Sequence, residues 1–189
     1  MRVLDLFSGL GGFSEAFLRR GHEVVRVDID PRFKPDVCAD ILDVTARDVP
    51  GPWTVILASP PCVEFTRWGF RGLFPKVNPP DTELVKDTIV LISTLAPRWW
   101  CLENVRASVT WISPLLGKPV KRVGSRYLWG EFPPFDSPHV YGKSCRGTRK
   151  DRPALRAKIP YSLSLGLCAA CENYERRRDL MEVSVLREN

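Results

Sequence analysis

No run of apolar residues in this chain is long enough to cross a bilayer; each is short and flanked by charge. No cleavable leader is expected, because residues 3–7 (VLDLF) run straight into a strand-like pattern. Both absences predict a cytoplasmic protein. No internal repeat and no polar linker interrupts the sequence, so residues 1–189 are expected to form a single domain. Acidic residues are in deficit: 22 against 28 Lys and Arg, a net charge of +6, which suits a polyanionic partner. Hydrophobic residues at 44% and charged residues at 26% exclude disorder of the whole chain. Six cysteines are present, and in a cytosolic chain most should be reduced and buried. Cys168 and Cys171 have metal-like spacing, but no second pair follows and LCAAC reads as helix, so no metal is expected.

What is there alternates between two periods. Strand-like runs occupy residues 3–7, 23–29, 37–41, 53–58 and 99–105. WTVILA is apolar on both faces, as the middle of a parallel sheet requires. Between the runs, residues 13–20 carry Phe13, Phe17 and Leu18 at helical spacing before Gly21. Residues 82–95 place Leu84, Val85, Ile89, Ile92 and Leu95 on one helical side. This order predicts a doubly wound, mostly parallel α/β sheet whose ligands gather at the carboxyl ends of its strands. The second half is less regular. Residues 120–129 read as strand, 137–158 as a basic loop, and 159–175 as a helix opened by Pro160. The charged tail from Arg176 reads as loosely held.

Two clusters of chemistry stand at those strand ends. The first is DLFSGLGG, joining the first strand to the first helix. Its glycines, Gly9, Gly11 and Gly12, let a ligand approach the backbone, although they lack the G-x-G-x-x-G spacing of dinucleotide sites and also occur in plain βα turns. Asp28 after the second strand is placed to meet ribose hydroxyls, and Asp40 after the third an adenine amino group. Phe7 is placed to lie against a sulfonium cation. The second cluster is Ser59-Pro60-Pro61-Cys62 after the fourth strand, facing Glu103-Asn104 after the fifth. The prolines fix the backbone ahead of Cys62. A thiolate can attack an electron-poor ring carbon while a nearby carboxylic acid protonates a ring nitrogen.

DLFSGLGGFSEAF, SPPC followed by Phe65-Thr66, and CLENV resemble the first, fourth and sixth motifs of the cytosine-C5 DNA methyltransferase family, in that order and at the family's spacing. The resemblance is firm to about Val105 and loose beyond. RWWCLENV, YLWG and IPYSLSLGLC look like a compact branch common in bacteriophages and prophages, which implies a bacterial or phage-infected host cell. It implies the Rossmann-like fold of S-adenosylmethionine-dependent methyltransferases. S-adenosyl-L-methionine would be held by Phe7, Ser8, Gly9, Gly11, Gly12, Asp28, Ile29, Asp40, Ile41, Pro60 and Ser162. It also implies covalent addition of Cys62 to C6 of a flipped-out cytosine, with Glu103 at N3, Asn104 orienting the cysteine loop and Pro61 shaping the base pocket.

Double-stranded DNA is the partner so implied. Residues 64–76 mix aromatic and basic side chains, with Phe65, Arg67, Trp68 and Arg71 placed to stack and to meet phosphate; Lys143, Arg146, Arg149 and Lys150 form a second basic region. Three departures accompany the match. A Gln-x-Arg-x-Arg motif is absent, with Arg126 the nearest stand-in; Gly-Asn-Ser-Val is replaced by Ile159-Pro160-Tyr161-Ser162; and little chain remains for a target-recognition domain. The last predicts a minimal or missing recognition domain and a short or relaxed target, or a protein partner that reads the bases. Two rivals stay open: the tRNA-methylating branch, which PPC-x-x-FTR-x-G also resembles, and an inactive relative that only binds donor or DNA.

Overall fold

The computed structural model describes residues 1–69, 79–137 and 152–187. A seven-stranded sheet runs in the order β3-β2-β1-β4-β5-β7-β6. β1 (Arg2–Leu6), β2 (Glu23–Asp28), β3 (Val37–Cys38), β4 (Val55–Ala58) and β5 (Trp99–Val105) are parallel, while β7 (Arg126–Glu131) lies antiparallel to β5 and to β6 (Lys121–Val123). Order reverses at β1, with β2 on one side and β4 on the other, and this is the crevice-forming point of an open α/β sheet.

The two-residue period of the strands sorts the core into two layers. Leu4, Leu6, Ile56, Ala58, Leu102 and Trp129 face one side, where α3 (Glu83–Leu95) and α4 (Val109–Leu116) bury Val85, Leu91, Ile92 and Ile112. Val3, Val55, Leu57, Cys101 and Leu128 face the other, against α1 (Glu15–Arg19) and α6 (Tyr161–Arg187). Helices on both faces make this the doubly wound arrangement expected of the sequence. Gly12 lets the two ends of the chain meet: a Cβ there would lie 2.6 Å from the Ile159 carbonyl oxygen.

Several expected bounds shift for local reasons. The third strand stops at Cys38 because Asp40 turns the chain, its Oδ1 accepting from Leu42 N at 3.1 Å. The strand expected over 120–129 is a hairpin, broken at Gly124, whose φ of 62° suits glycine. Residues 152–157, expected as loop, form α5 (Arg152–Ala157). The last helix continues past 175 to Arg187 over 27 residues. Its charged middle is tied to the sheet: Glu175 accepts from Arg98 at 2.9 Å, and Tyr174 packs edge-on against Trp99 with centroids 4.8 Å apart. No helix among the described residues is long and apolar enough to cross a membrane.

Candidate active site

At the carboxyl ends of β1, β2 and β4 lies a cavity of about 770 Å³. Phe7 leaves β1 with a φ of 59°, a left-handed conformation that costs a bulky residue energy and must be held by its surroundings. Ser8 N donates to the Val27 carbonyl at 3.0 Å, and Gly9 N donates to Asp28 Oδ2 at 2.7 Å. The loop is therefore fixed against the end of β2. Gly9 has a φ of 48° and nothing within 4 Å of where a Cβ would stand, so its open face belongs to the cavity.

Ten of the sequence-derived residues line this space: Phe7, Ser8, Gly9, Gly12, Asp28, Ile29, Asp40, Ile41, Pro61 and Cys62. The others fall nearby with different jobs. The missing Cβ of Gly11 faces the Arg26 guanidinium at 3.4 Å. Pro60 is buried, and its carbonyl accepts from Asn104 Nδ2 at 3.0 Å. Ser162 does not line the cavity; Lys158 and Ile159 do, just before α6 begins at Tyr161. The serine of this helix that touches the glycine-rich turn is Ser164, fully buried, donating to the Phe13 carbonyl at 2.6 Å and accepting from Ala16 N at 3.0 Å.

Cys62 ends the tight SPPC turn and heads α2 (Val63–Gly69), where Thr66 N and Thr66 Oγ1 both bond its carbonyl at 2.9 Å. Its half-buried thiol is pushed up from the ordinary value, first by burial and then by the charge of Glu103. Glu103 is 3% exposed, and both its oxygens are held: Oε1 accepts from Arg126 Nη1 at 2.9 Å and Oε2 from Ser59 Oγ at 2.7 Å. Arg126 also donates from Nη2 to the Lys158 carbonyl at 2.9 Å. Asn104, 1% exposed, spans from the Pro60 carbonyl to Val105 N, which donates to its Oδ1 at 2.8 Å. Beside the cavity the structure thus sets a Ser59–Glu103–Arg126 hydrogen-bonded group, whose charge acts on Cys62, next to a cysteine turn that Asn104 holds at Pro60.

Two polar atoms in the wall stay unmatched. Asp5 Oδ1 and Ser8 Oγ are buried without a hydrogen-bond partner among the described residues. Asp5 Oδ2 accepts from Ser14 Oγ at 2.5 Å, yet burial raises the carboxyl to about 6. Asp5 escaped the sequence reading because, in the middle of an apolar strand, nothing showed which side it faced. Ser59 escaped because a lone serine carries little signal; its place in SPPC opposite CLENV was the available clue.

The expected nucleic-acid face is only partly described. Phe65 is a correction: at 2% exposure it packs in the core with Val85 and Ile92, because α2 turns it inward, so it offers no stacking surface. Arg67 is exposed. The side chain of Trp68, and residues Arg71, Lys143, Arg146, Arg149 and Lys150, lie outside the described residues.

A doubly wound α/β domain with a ligand-sized cavity at its strand ends, and a thiol beside a clamped carboxyl in its wall, defines the class. The family model described as C-5 cytosine-specific DNA methylase matches residues 1–111, and the chain belongs to that family. It is 31% identical over 125 residues to the type II methyltransferase M.XorII of Xanthomonas oryzae pv. oryzae, covering 54% of this chain and 28% of that one. To the type II methyltransferase M1.HphI of Haemophilus parahaemolyticus it is 29% identical over 121 residues, covering 56% and 32%. The chain thus spans about a third or less of these relatives' lengths. Among solved structures, one described as a DNA modification methyltransferase encoded within a prophage (E. coli) superposes with a TM-score of 0.51 at 23% identity, over 69% of this chain and 46% of that one. At that identity the likeness speaks for the fold.

Proposed function

We propose that this chain transfers a methyl group from S-adenosyl-L-methionine to C5 of a cytosine in double-stranded DNA. The observation that carries the reading is Cys62 in the cavity wall, charge-coupled to a Glu103 held by Ser59 and Arg126. Family membership supplies the reaction class.

The cavity fits such a donor on its own chemistry. Asp5 Oδ1 and Ser8 Oγ are buried atoms in need of partners, and an ammonium and a carboxylate on one ligand would supply them. Gly9 leaves the backbone bare for close approach. Phe7, Asp28, Ile29, Asp40 and Ile41 would hold the remainder, the acids at hydroxyl and amino groups and the apolar side chains against rings. When bound, the donor supplies an electrophilic methyl group on sulfur.

The chain's own residues then divide the work on the base. As Cys62 releases its thiol proton to solvent and adds its sulfur to C6, Glu103 delivers a proton to ring N3, which moves electron density to C5. Arg126 and Ser59 keep the Glu103 carboxyl in one orientation. Asn104 holds the Pro60 carbonyl and so fixes the backbone ahead of Cys62. Once C5 carries the methyl group, the C5 proton leaves to solvent, the double bond re-forms with expulsion of Cys62, and N3 returns its proton to Glu103. The target must leave the duplex stack to reach this crevice.

Incubation with labelled donor and separate pools of duplex DNA and tRNA tests the reading. Label in DNA, as 5-methylcytosine, supports it. Label in tRNA alone overturns the substrate, and bound donor without transfer to either overturns the activity.

A further inference from the structure

The amino ends of the strands, on the far side of the sheet from the cavity, carry a second group of reactive side chains. His22 stands just before β2, and Cys168 and Glu172 are one turn apart on α6. One ligand atom from each, the imidazole nitrogen, the sulfur and a carboxylate oxygen, all lie within 4.8 Å of one another. We propose that His22, Cys168 and Glu172 bind a zinc-class divalent cation that pins α6 to the turn between α1 and β2.

The placement is built by two elements rather than by one flexible loop. Residues four apart on a helix share a face, so Cys168 and Glu172 present their groups side by side. His22 Nε2 is hydrogen-bonded to Glu172 Oε1 at 2.9 Å, a pair that needs to open only to about 3.3 Å to stand as two tetrahedral ligands of one ion. Arg20 grips the same carboxylate, with Nε at 2.9 and 3.0 Å and Nη2 at 2.6 Å from Oε2, and so fixes its direction as an outer partner would. The Cys168 residue is fully buried, and its thiol has no hydrogen-bond partner among the described residues. A nitrogen, a sulfur and one carboxylate form a donor set for zinc and not for calcium or magnesium, which take oxygen.

Binding balances in protons. The thiol proton leaves to solvent as sulfur bonds the ion. The imidazole gives up to solvent the Nε2 proton that Glu172 accepts, and Nδ1, 3.2 Å from the Met1 ammonium, takes a proton from that ammonium in turn. Water completes the fourth position. Cys171, buried one turn from Cys168, belongs to the neighbouring core and not to this set. The sequence expectation of no metal rested on a missing second cysteine pair; the additional ligands are instead an acid on the same helix and a histidine far upstream.

Cobalt titration of the reduced, metal-stripped full chain reads the site without reference to methyl transfer. The expected result is a thiolate-to-cobalt charge-transfer band and tetrahedral d–d bands saturating at one equivalent and bleached by zinc. Cys168→Ala loses the charge-transfer band, His22→Gln loses the tetrahedral bands, and Cys171→Ala keeps both. Zinc also raises the melting temperature of the wild type and not of His22→Gln. A folded wild type with no cobalt band overturns the proposal, as do tetrahedral d–d bands that survive His22→Gln. The His22 variant decides the matter should Cys168→Ala fail to fold, because His22 sits at a turn and fills no core.

Discussion

The two ends of the sheet make opposite use of their polar groups. At the amino ends, and where α6 crosses α1, the hydroxyl and charged groups find partners: Ser164 both donates and accepts, and Arg20 and His22 converge on Glu172, holding its carboxyl below the usual carboxylate range. At the carboxyl ends, Phe7 holds a left-handed φ, Asp5 and Ser8 keep buried atoms without partners, and burial and the Glu103 charge raise the Cys62 thiol. Unpaired buried groups cost about 1–3 kcal/mol each. A fold tolerates them where something else is to complete them, so the difference separates the part that holds the molecule together from the part that acts.

Substitutions at the two ends should therefore fail differently. The largest effect belongs to Cys62→Ala, which should abolish methyl transfer while donor affinity, by calorimetry, stays within about fewfold. Equal loss of donor binding would erase the distinction between nucleophile and donor cavity. Glu103→Gln should slow the chemical step by roughly 100- to 10,000-fold. It should also speed alkylation of Cys62 at a given pH, because removing the negative charge favours the thiolate; peptide mass spectrometry separates this site from exposed Cys38.

Asp5→Asn sharpens the contrast through stability. Burial pushes the folded carboxyl up to about 6 from the ordinary 3.8, so between these values the native state holds the extra proton. Stability then falls as pH rises through that window, by up to roughly 3 kcal/mol for so large a displacement. The amide cannot ionise, so Asp5→Asn should melt higher than wild type at neutral pH, lose this pH dependence and bind donor more weakly. At the opposite end, Ser164→Ala should lower stability by about 1–3 kcal/mol at any pH and leave the chemical step alone. The smallest effect on stability is expected at Gly9→Ala, about 1 kcal/mol from the left-handed φ, while the added methyl group stands in the cavity and weakens donor binding.

The legible parts were those written in short-range pattern. Strand alternation placed β1, β2, β4 and β5 within a residue or two, and the strand-end motifs placed Cys62, Glu103 and Asn104 together. Arg126 was found only through a family motif that the chain lacks, and its reach to Glu103 depends on β7 pairing antiparallel to β5. What stayed hidden depends on which way a side chain turns. Phe65 among basic and aromatic neighbours looked like a stacking surface, but one helical turn after Cys62 faces it into the core. Ser164 and Ser162 are alike in sequence, and only the helix phase against α1 selects the former. Ala154 and Ala157 line the cavity because α5 passes over it, and two alanines give no periodic signal.

The most direct test of the central claim is duplex DNA carrying 5-fluorocytosine, incubated with donor. Fluorine cannot leave C5 as a proton does, so the account predicts a stable protein–DNA adduct mapping to the peptide that holds Cys62, and none with Cys62→Ala. An adduct at another cysteine, or no adduct although donor is bound, would contradict it.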